Sequence, residues 1–177
     1  METEQKLFVC IHEKESSLQE KLLCKGVRAE LFREEGALWN CHVAKRGEKV
    51  CLAFEEGATL FFAEEQAAAE FLYMVICHCL YLQMMTVDFG NMMGILGCSD
   101  WENPIQCKDW ERREELPFWS SVLSTHVLPD EEDPELCFQY MNEVDDALME
   151  HFAEDSQIIM IFGEVDQEQR KLFWVEA

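Results

Sequence analysis

The sequence predicts a protein of the α+β class, in which an antiparallel β-meander packs on a long central helix and is followed by an acidic amphipathic helix and a β-hairpin. Three observations lead to this prediction. The predicted strands occur in runs instead of alternating with helices, and glycines stand between consecutive strands, as hairpin turns require. Hydrophobic residues make up 49% of the 177 residues, which is ample for a packed core.

The first part of the chain supplies a strand, a short helix and the meander. Residues 6–12 are rich in β-branched and aromatic side chains, which favours a strand. Ser17 and Glu20 have the spacing of a capping box, which marks the start of a short helix. Glycine-containing turns separate the next predicted strands, which are residues 27–33, 38–44, 50–54 and 59–62.

A long helix follows the meander. Residues 64–85 are expected to form the central core helix, because they are apolar on most faces of a helix. Glu64 and Glu65 stand in its first turn, where carboxylates interact favourably with the helix dipole. Residues 86–117 are predicted to form loops and short helical turns, and residues 116–128 a further helix or helical turn.

The C-terminal part is predicted to contain a helix and a hairpin. Asp133 is expected to cap a helix whose first residue is Pro134. Apolar residues then recur at helical spacing; they are Cys137, Tyr140, Met141, Val144, Leu148 and Phe152. Carboxylates occupy the opposite face, which predicts an acidic outer face. Residues 158–162 and 172–175 are predicted to pair as the closing hairpin.

These elements fall into three stretches of what we expect to be one domain. Residues 1–85 hold the first strand, the short helix, the meander and the long helix. Residues 86–133 hold an irregular tryptophan-rich segment and an acidic linker, and residues 134–177 hold the acidic helix and the hairpin. The length fits a single domain of ordinary size.

The formal net charge of −22 is the strongest functional signal, with 36 Asp and Glu against 14 Lys and Arg. Such a field repels phosphates and anionic lipid surfaces, so direct binding to nucleic acid or to a membrane is not expected. The favoured partner is a protein with a basic surface. Acidity that serves solubility alone is the alternative interpretation.

The cysteines and the start of the sequence indicate an intracellular, reducing location, and we expect the cytoplasm. Nine cysteines are present, an odd number, and the first residues are polar and acidic, unlike a secretory signal. The most apolar stretch, residues 67–85, is interrupted by Glu70, His78 and Gln83. A buried helix is therefore favoured over a membrane span.

Potential metal ligands do not have the spacing of a metal site. Two sets stand out, which are Cys77, His78 and Cys79, and Cys98, Cys107 and His126. Adjacent helical residues point about 100° apart, so the first set does not converge on one ion. The second set lacks the compact cysteine pairs of zinc sites. We expect no bound metal.

No pattern of residues predicts catalysis or a cofactor. Ser120 or Ser121 could be combined with His126 and Asp130, but the G-x-S-x-G elbow of such hydrolases is absent. The glycine-rich stretch at residues 90–97 lacks the lysine of a phosphate-binding loop. The sequence therefore favours a protein that is not an enzyme and that carries no cofactor.

Two surfaces are candidates for protein binding. Trp and Arg are enriched at the energetic centres of interfaces, and they cluster at Trp101, Trp110, Arg112, Arg113 and Trp119. The acidic candidates are Asp130, Glu131 and Glu132 in the linker and Glu143, Asp146, Glu150 and Glu154 along the C-terminal helix. For the tryptophans the favoured interpretation is that all three fold inward and seal a small subdomain, and the docking surface is the alternative.

The predicted function is protein binding. One form is an inhibitor or antidote whose carboxylates stand in for phosphates on a basic, nucleic-acid-binding surface of the partner. The alternative is an adaptor or chaperone-like module, as a homodimer, that holds a peptide by apolar burial. A metal-dependent enzyme whose site is assembled from distant residues is the third alternative.

Overall fold

The computed structural model describes residues 9–12, 18, 20–21, 39–54, 59–80, 89–118, 120–127, 133–163 and 170–176. The chain forms two compact units, of which the first comprises Met1–Leu80 and Ser99–Ile105, and the second Tyr81–Cys98 and Gln106–Ala177. The helices, together with one antiparallel-rich and one mixed sheet, confirm the predicted α+β class. The division of the sequence into three stretches stays a prediction.

The first unit contains a four-stranded sheet. Its strands are Val9–His12 (β1), Trp39–Arg46 (β2), Lys49–Phe54 (β3) and Thr59–Phe62 (β4), in the order β1-β2-β3-β4. β1 runs parallel to β2, whereas β2, β3 and β4 pair antiparallel as a meander. Gly47 connects β2 to β3 with a φ of 64°, a left-handed conformation that favours glycine. The predicted strand at residues 27–33 lies outside the described residues.

Helix α1, Glu65–Leu80, packs against β3 and β4. Val50 pairs with Phe62 across the two strands, so alternate residues of both strands share one buried face. Phe62 contacts Phe71 of α1, with ring centroids 5.3 Å apart. No helix in the described part of the chain is long and apolar enough to cross a membrane.

The second unit contains a mixed sheet and two α-helices. Its elements are Phe89–Leu96 (α2), Gln106–Asp109 (β5), the 3₁₀ helix Trp110–Glu115, Ser120–Val127 (β6), Pro134–His151 (α3), Ile158–Gly163 (β7) and Lys171–Glu176 (β8). The strand order is β5-β8-β6-β7. β6 runs parallel to β7, with α3 as the crossover between them, and β8 runs antiparallel to β5 and β6.

Two predictions for this region are wrong. The helix or helical turn predicted for residues 116–128 is replaced by β6, which pairs along both of its edges. The predicted closing hairpin does not form, because β6 lies between β7 and β8. The crossover through α3 places β7 on one edge of β6, and β8 takes the other edge.

Both faces of the mixed sheet are covered. The core on the α3 side includes Val122, Phe162 and Leu172 from the sheet and Cys137, Val144 and Leu148 from α3. On the other side Leu123, Ile161 and Phe173 are buried, and α2 contacts β6 and β7. α3 therefore has one side fixed against the sheet, which determines the side that it exposes.

Candidate protein-interaction surface on helix α3

The orientation of α3 follows from its cap and its buried stripe. The Asp133 side chain accepts hydrogen bonds from the backbone N–H groups of Glu135 and Leu136, each 3.1 Å long. The fully buried residues of the helix are Cys137, Val144 and Leu148, which recur at helical spacing. The remaining faces of α3 are therefore directed away from the core.

The exposed side of α3 is acidic in its C-terminal half. The exposed carboxylates are Glu143, Asp145, Asp146 and Glu150, and Glu154 and Asp155 follow in the turn after the helix. Carboxylates near the C-terminal end of a helix oppose the helix dipole. Asp146 and Glu150, four residues apart, also repel each other. The presence of these carboxylates is therefore not explained by a stabilising effect on the helix.

No ion pair in the described part of the chain neutralises the carboxylates of α3. From residue 114 to residue 169 the sequence has 16 Asp and Glu and no Lys or Arg. The five bases of the second unit contact other groups: Lys108 and Arg112 contact Glu115, Lys171 contacts Asp109, and Arg113 and Arg170 lie over aromatic rings. Among the described residues, therefore, no base compensates the negative charge on the acidic side of α3.

Two large apolar side chains flank these carboxylates. Phe138 is 58% exposed and Met149 is 52% exposed. They are 11 residues apart, about three turns, so they lie on one line along the helix and about 16 Å apart. Neither was identified from the sequence, although both positions fall outside the buried stripe. We define the outer face of α3 as these two side chains together with Glu143, Asp145, Asp146 and Glu150.

The tryptophan candidates are distributed over the two units. Trp101 belongs to the first unit, where its partly exposed ring meets the Phe61 ring edge-on at 4.9 Å. Trp110 belongs to the second unit and is only 8% exposed. Trp119, Asp130, Glu131 and Glu132 lie outside the described residues. Trp110 therefore offers little ring surface to a partner.

The two arginine candidates are engaged within the second unit. The Arg112 guanidinium donates two hydrogen bonds to Glu115, 2.9 and 2.7 Å long. These bonds, with a further one from Lys108, lower the pKa of Glu115 to about 2. The Arg113 guanidinium lies 4.7 Å from the centroid of the Trp110 ring. Both arginines therefore make these contacts within the 3₁₀ helix, Trp110–Glu115.

His126 lies in the buried centre of the second unit. Its ring is 3% exposed, stacks on Phe162 with centroids 5.2 Å apart, and meets the Trp110 ring edge-on at 4.7 Å. Its Nδ1 atom lies 3.5 Å from the Tyr140 hydroxyl. Burial, with a smaller effect of Arg170, lowers the pKa of His126 to about 3. This histidine is therefore neutral at physiological pH and packs as a core residue.

The catalytic trio and the metal ligands that the sequence offered do not come together around His126. Ser120 is six residues away on the same strand, a distance of about 20 Å, and its hydroxyl donates to the Pro117 carbonyl at 2.9 Å. Asp130 and the side chains at positions 77–79 are outside the described residues. Among the side chains that the structure does describe, no three His, Cys, Asp or Glu are placed to hold a metal ion.

Comparison with known proteins adds no relative: the chain matches no protein family, no curated protein and no solved structure. The features of the chain that bear on its function are the exposed carboxylates and the exposed apolar side chains of α3.

Proposed function

We propose that the chain is a non-enzymatic protein-binding module, and that the outer face of α3 binds a basic surface of a partner protein. The observation that carries this proposal is the group of exposed carboxylates that no described base neutralises. In this proposal α3 is the acidic amphipathic helix of the predicted fold, α1 is its long central helix, and the protein acts in the reducing cytoplasm.

The carboxylates are placed where they lower the stability of the helix. A carboxylate near the C-terminal end of a helix costs about 0.3–1 kcal/mol, and like charges four residues apart cost about 0.2–0.5 kcal/mol. Glu150 incurs both, the second with Asp146. Features that break local rules without local compensation are typical of functional surfaces. Opposite charges on a partner would relieve both penalties when the complex forms.

The spacing of the carboxylates supports a partner that binds nucleic acid. Glu143, Asp145, Asp146 and Glu150 fall within eight residues, so they occupy about 10.5 Å of the helix axis, with an average of one charge per about 3.5 Å. One strand of duplex DNA carries one phosphate per about 3.4 Å. The chain would then act as an inhibitor or antidote that occupies the nucleic-acid site of its partner, with fast and salt-sensitive association.

Phe138 and Met149 favour a second candidate, an adaptor that holds a peptide by apolar burial. Exposed aromatic and methionine side chains are enriched in protein interfaces. Such binding varies little with salt, because apolar burial does not depend on screened charges. In this second candidate the protein acts as a homodimer. Salt dependence therefore distinguishes the adaptor from the acidic inhibitor.

Affinity capture with matched charge variants tests the proposal. The test variant combines Glu143→Gln, Asp145→Asn, Asp146→Asn and Glu150→Gln, the four carboxylates of the outer face of α3. The control neutralises the same number of exposed carboxylates away from α3, namely Glu20, Glu48, Glu102 and Glu114. Tagged wild type and both variants are incubated with a lysate of the producing cells and washed at low and high salt.

The expected result is one basic partner that the wild type and the control retain at low salt and release at high salt, and that the α3 variant does not capture. Equal capture by the α3 variant at low salt would contradict the proposal. A partner that survives high salt and is lost with Phe138→Ala and Met149→Ala would support the adaptor instead.

A further inference from the structure

The outer edge of β7 is a second surface that the second unit leaves open. β7 is the last strand in the order β5-β8-β6-β7, so in the described chain it has a paired neighbour on one side only. The backbone N–H of Val122 donates to the Gln157 carbonyl at 2.8 Å, and the register pairs Val122 with Ile158. This register determines which backbone groups of β7 bond to β6.

In a parallel pair, alternate residues bond to the neighbouring strand. The backbone groups of Ile159 and Ile161 therefore face β6, and those of Ile158 and Met160 face outward. Within the described residues, no hydrogen bond reaches this outer edge. β7 thus presents N–H and C=O groups in the arrangement that a further strand requires.

The outer edge is apolar along its whole length. β7 has the sequence Ile-Ile-Met-Ile-Phe-Gly, without a charge or a proline, and Ile158, Ile159 and Met160 are only half-buried. Proteins usually protect edge strands with charges, prolines or short length. The opposite edge strand, β5, is protected in this way, because it has four residues and carries the ion-paired Lys108 and Asp109.

The charges near β7 indicate which kind of strand could pair with its outer edge, a second copy of the chain or a segment of another protein. Glu154 and Asp155 precede β7, and Glu164 and Asp166 follow it in the sequence. A second copy paired through β7 would bring these acidic ends together between two chains of net charge −22 each. A segment that is apolar in its middle and has Lys or Arg at its ends meets attraction instead of repulsion.

We infer that the outer edge of β7 binds an extended segment of a partner protein as an additional strand, and that this segment is apolar at alternate positions and basic at both ends. Main-chain hydrogen bonds to Ile158 and Met160 hold the added strand, and the half-buried side chains of β7 contact its apolar residues. This edge is separate from the outer face of α3, so the inference does not rest on the proposed function.

Amide hydrogen exchange with a model peptide tests this inference. The probe alternates valine and threonine in its middle and has two lysines at each end. In the protein alone, the amides of Ile158 and Met160 are expected to exchange faster than those of Ile159 and Ile161, which bond to β6. The peptide is expected to slow exchange at Ile158 and Met160 by at least about tenfold.

Two variants separate strand pairing from general attraction of a basic peptide. Met160→Pro removes an outward N–H group, and Ile159→Lys places a charge on the edge. Each is expected to weaken peptide binding by about tenfold or more, and thermal unfolding checks that both remain folded. Ala44→Lys makes the same charge change at an exposed position of β2 and is expected to bind like the wild type.

Three outcomes would overturn the inference. The first is that the peptide does not change the exchange rates of the Ile158 and Met160 amides. The second is that these amides are already protected in the protein alone. The third is that their protection rises with protein concentration. The last outcome would identify a second copy of the chain as the occupant. Neutralising the outer face of α3 is expected to leave peptide binding intact, so this test and that of the proposed function fail independently.

Discussion

His126 makes the stability of the second unit depend on pH, and we expect His126→Phe to remove this dependence. The ring is buried against Phe162 and Trp110, and burial, with a smaller effect of Arg170, lowers its pKa to about 3. An ordinary histidine in an unfolded chain has a pKa of about 6.5. Above that pH both states are neutral, and the full stability is present.

The magnitude follows from the difference between the two pKa values. Below pH 6.5 the unfolded chain takes up the proton and the folded chain does not, so the free energy of unfolding falls by about 1.4 kcal/mol per pH unit until the pH nears 3. Between pH 7 and pH 4.5 this histidine alone removes about 2.7 kcal/mol. Burial raises the pKa of Tyr140, the titratable group beside the ring, so it stays neutral over this range.

Urea unfolding followed by tryptophan fluorescence measures this effect. The larger phenyl ring of His126→Phe changes the free energy of unfolding by an amount that does not depend on pH. The comparison therefore uses only how the difference between the wild type and the variant changes from pH 7 to pH 4.5. The difference in free energy of unfolding, wild type minus variant, is expected to be about 2.7 kcal/mol lower at pH 4.5 than at pH 7. His42→Gln controls for loss of an exposed imidazole. A difference that stays constant with pH would refute a buried, neutral His126.

Two further predictions concern the ends of α3. Asp133→Ala removes the acceptor of two backbone N–H groups and is expected to lower the free energy of unfolding by about 1 kcal/mol in urea denaturation; an unchanged midpoint would contradict the cap. Glu150→Gln removes a carboxylate from the last turns and is expected to raise the free energy of unfolding by about 0.3–1 kcal/mol at low salt. A loss of stability would mean that Glu150 stabilises the helix.

Structural features that are determined by residues close together in the sequence were predictable. Gly47 permits the left-handed turn between β2 and β3, and the flanking strands pair antiparallel. Asp133 accepts hydrogen bonds from the first N–H groups of α3, and Pro134 follows it. These signals act within a few residues, so no knowledge of the distant chain is needed to interpret them.

The strand order of the second unit was not predictable, because it depends on contacts between distant segments. Ser120, Ser121 and Ser124 are buried in β6 and hide the apolar alternation that marks a strand. β7 and β8 are close in sequence, which suggests a hairpin. Only the tertiary arrangement places β6 between them.

The candidate surface was predictable in part. Helical spacing in the sequence places Glu143, Asp146 and Glu150 on the side opposite the apolar stripe, and all three are exposed. Trp110 is buried, as the inward-folding interpretation expects, but its neighbour His126 was not predictable because it comes from a distant strand. Closeness of tryptophans in the sequence therefore does not by itself predict that their rings are exposed.

The most direct test of the central claim is the salt dependence of the dissociation constant between the captured partner and the chain, measured for the wild type and for the variant with a neutralised outer face of α3. We expect the wild type to bind more weakly as salt rises, and the variant to bind weakly even at low salt and to respond less to salt. Equal affinity and equal salt dependence for the two proteins would contradict the claim that the carboxylates of α3 bind a basic partner.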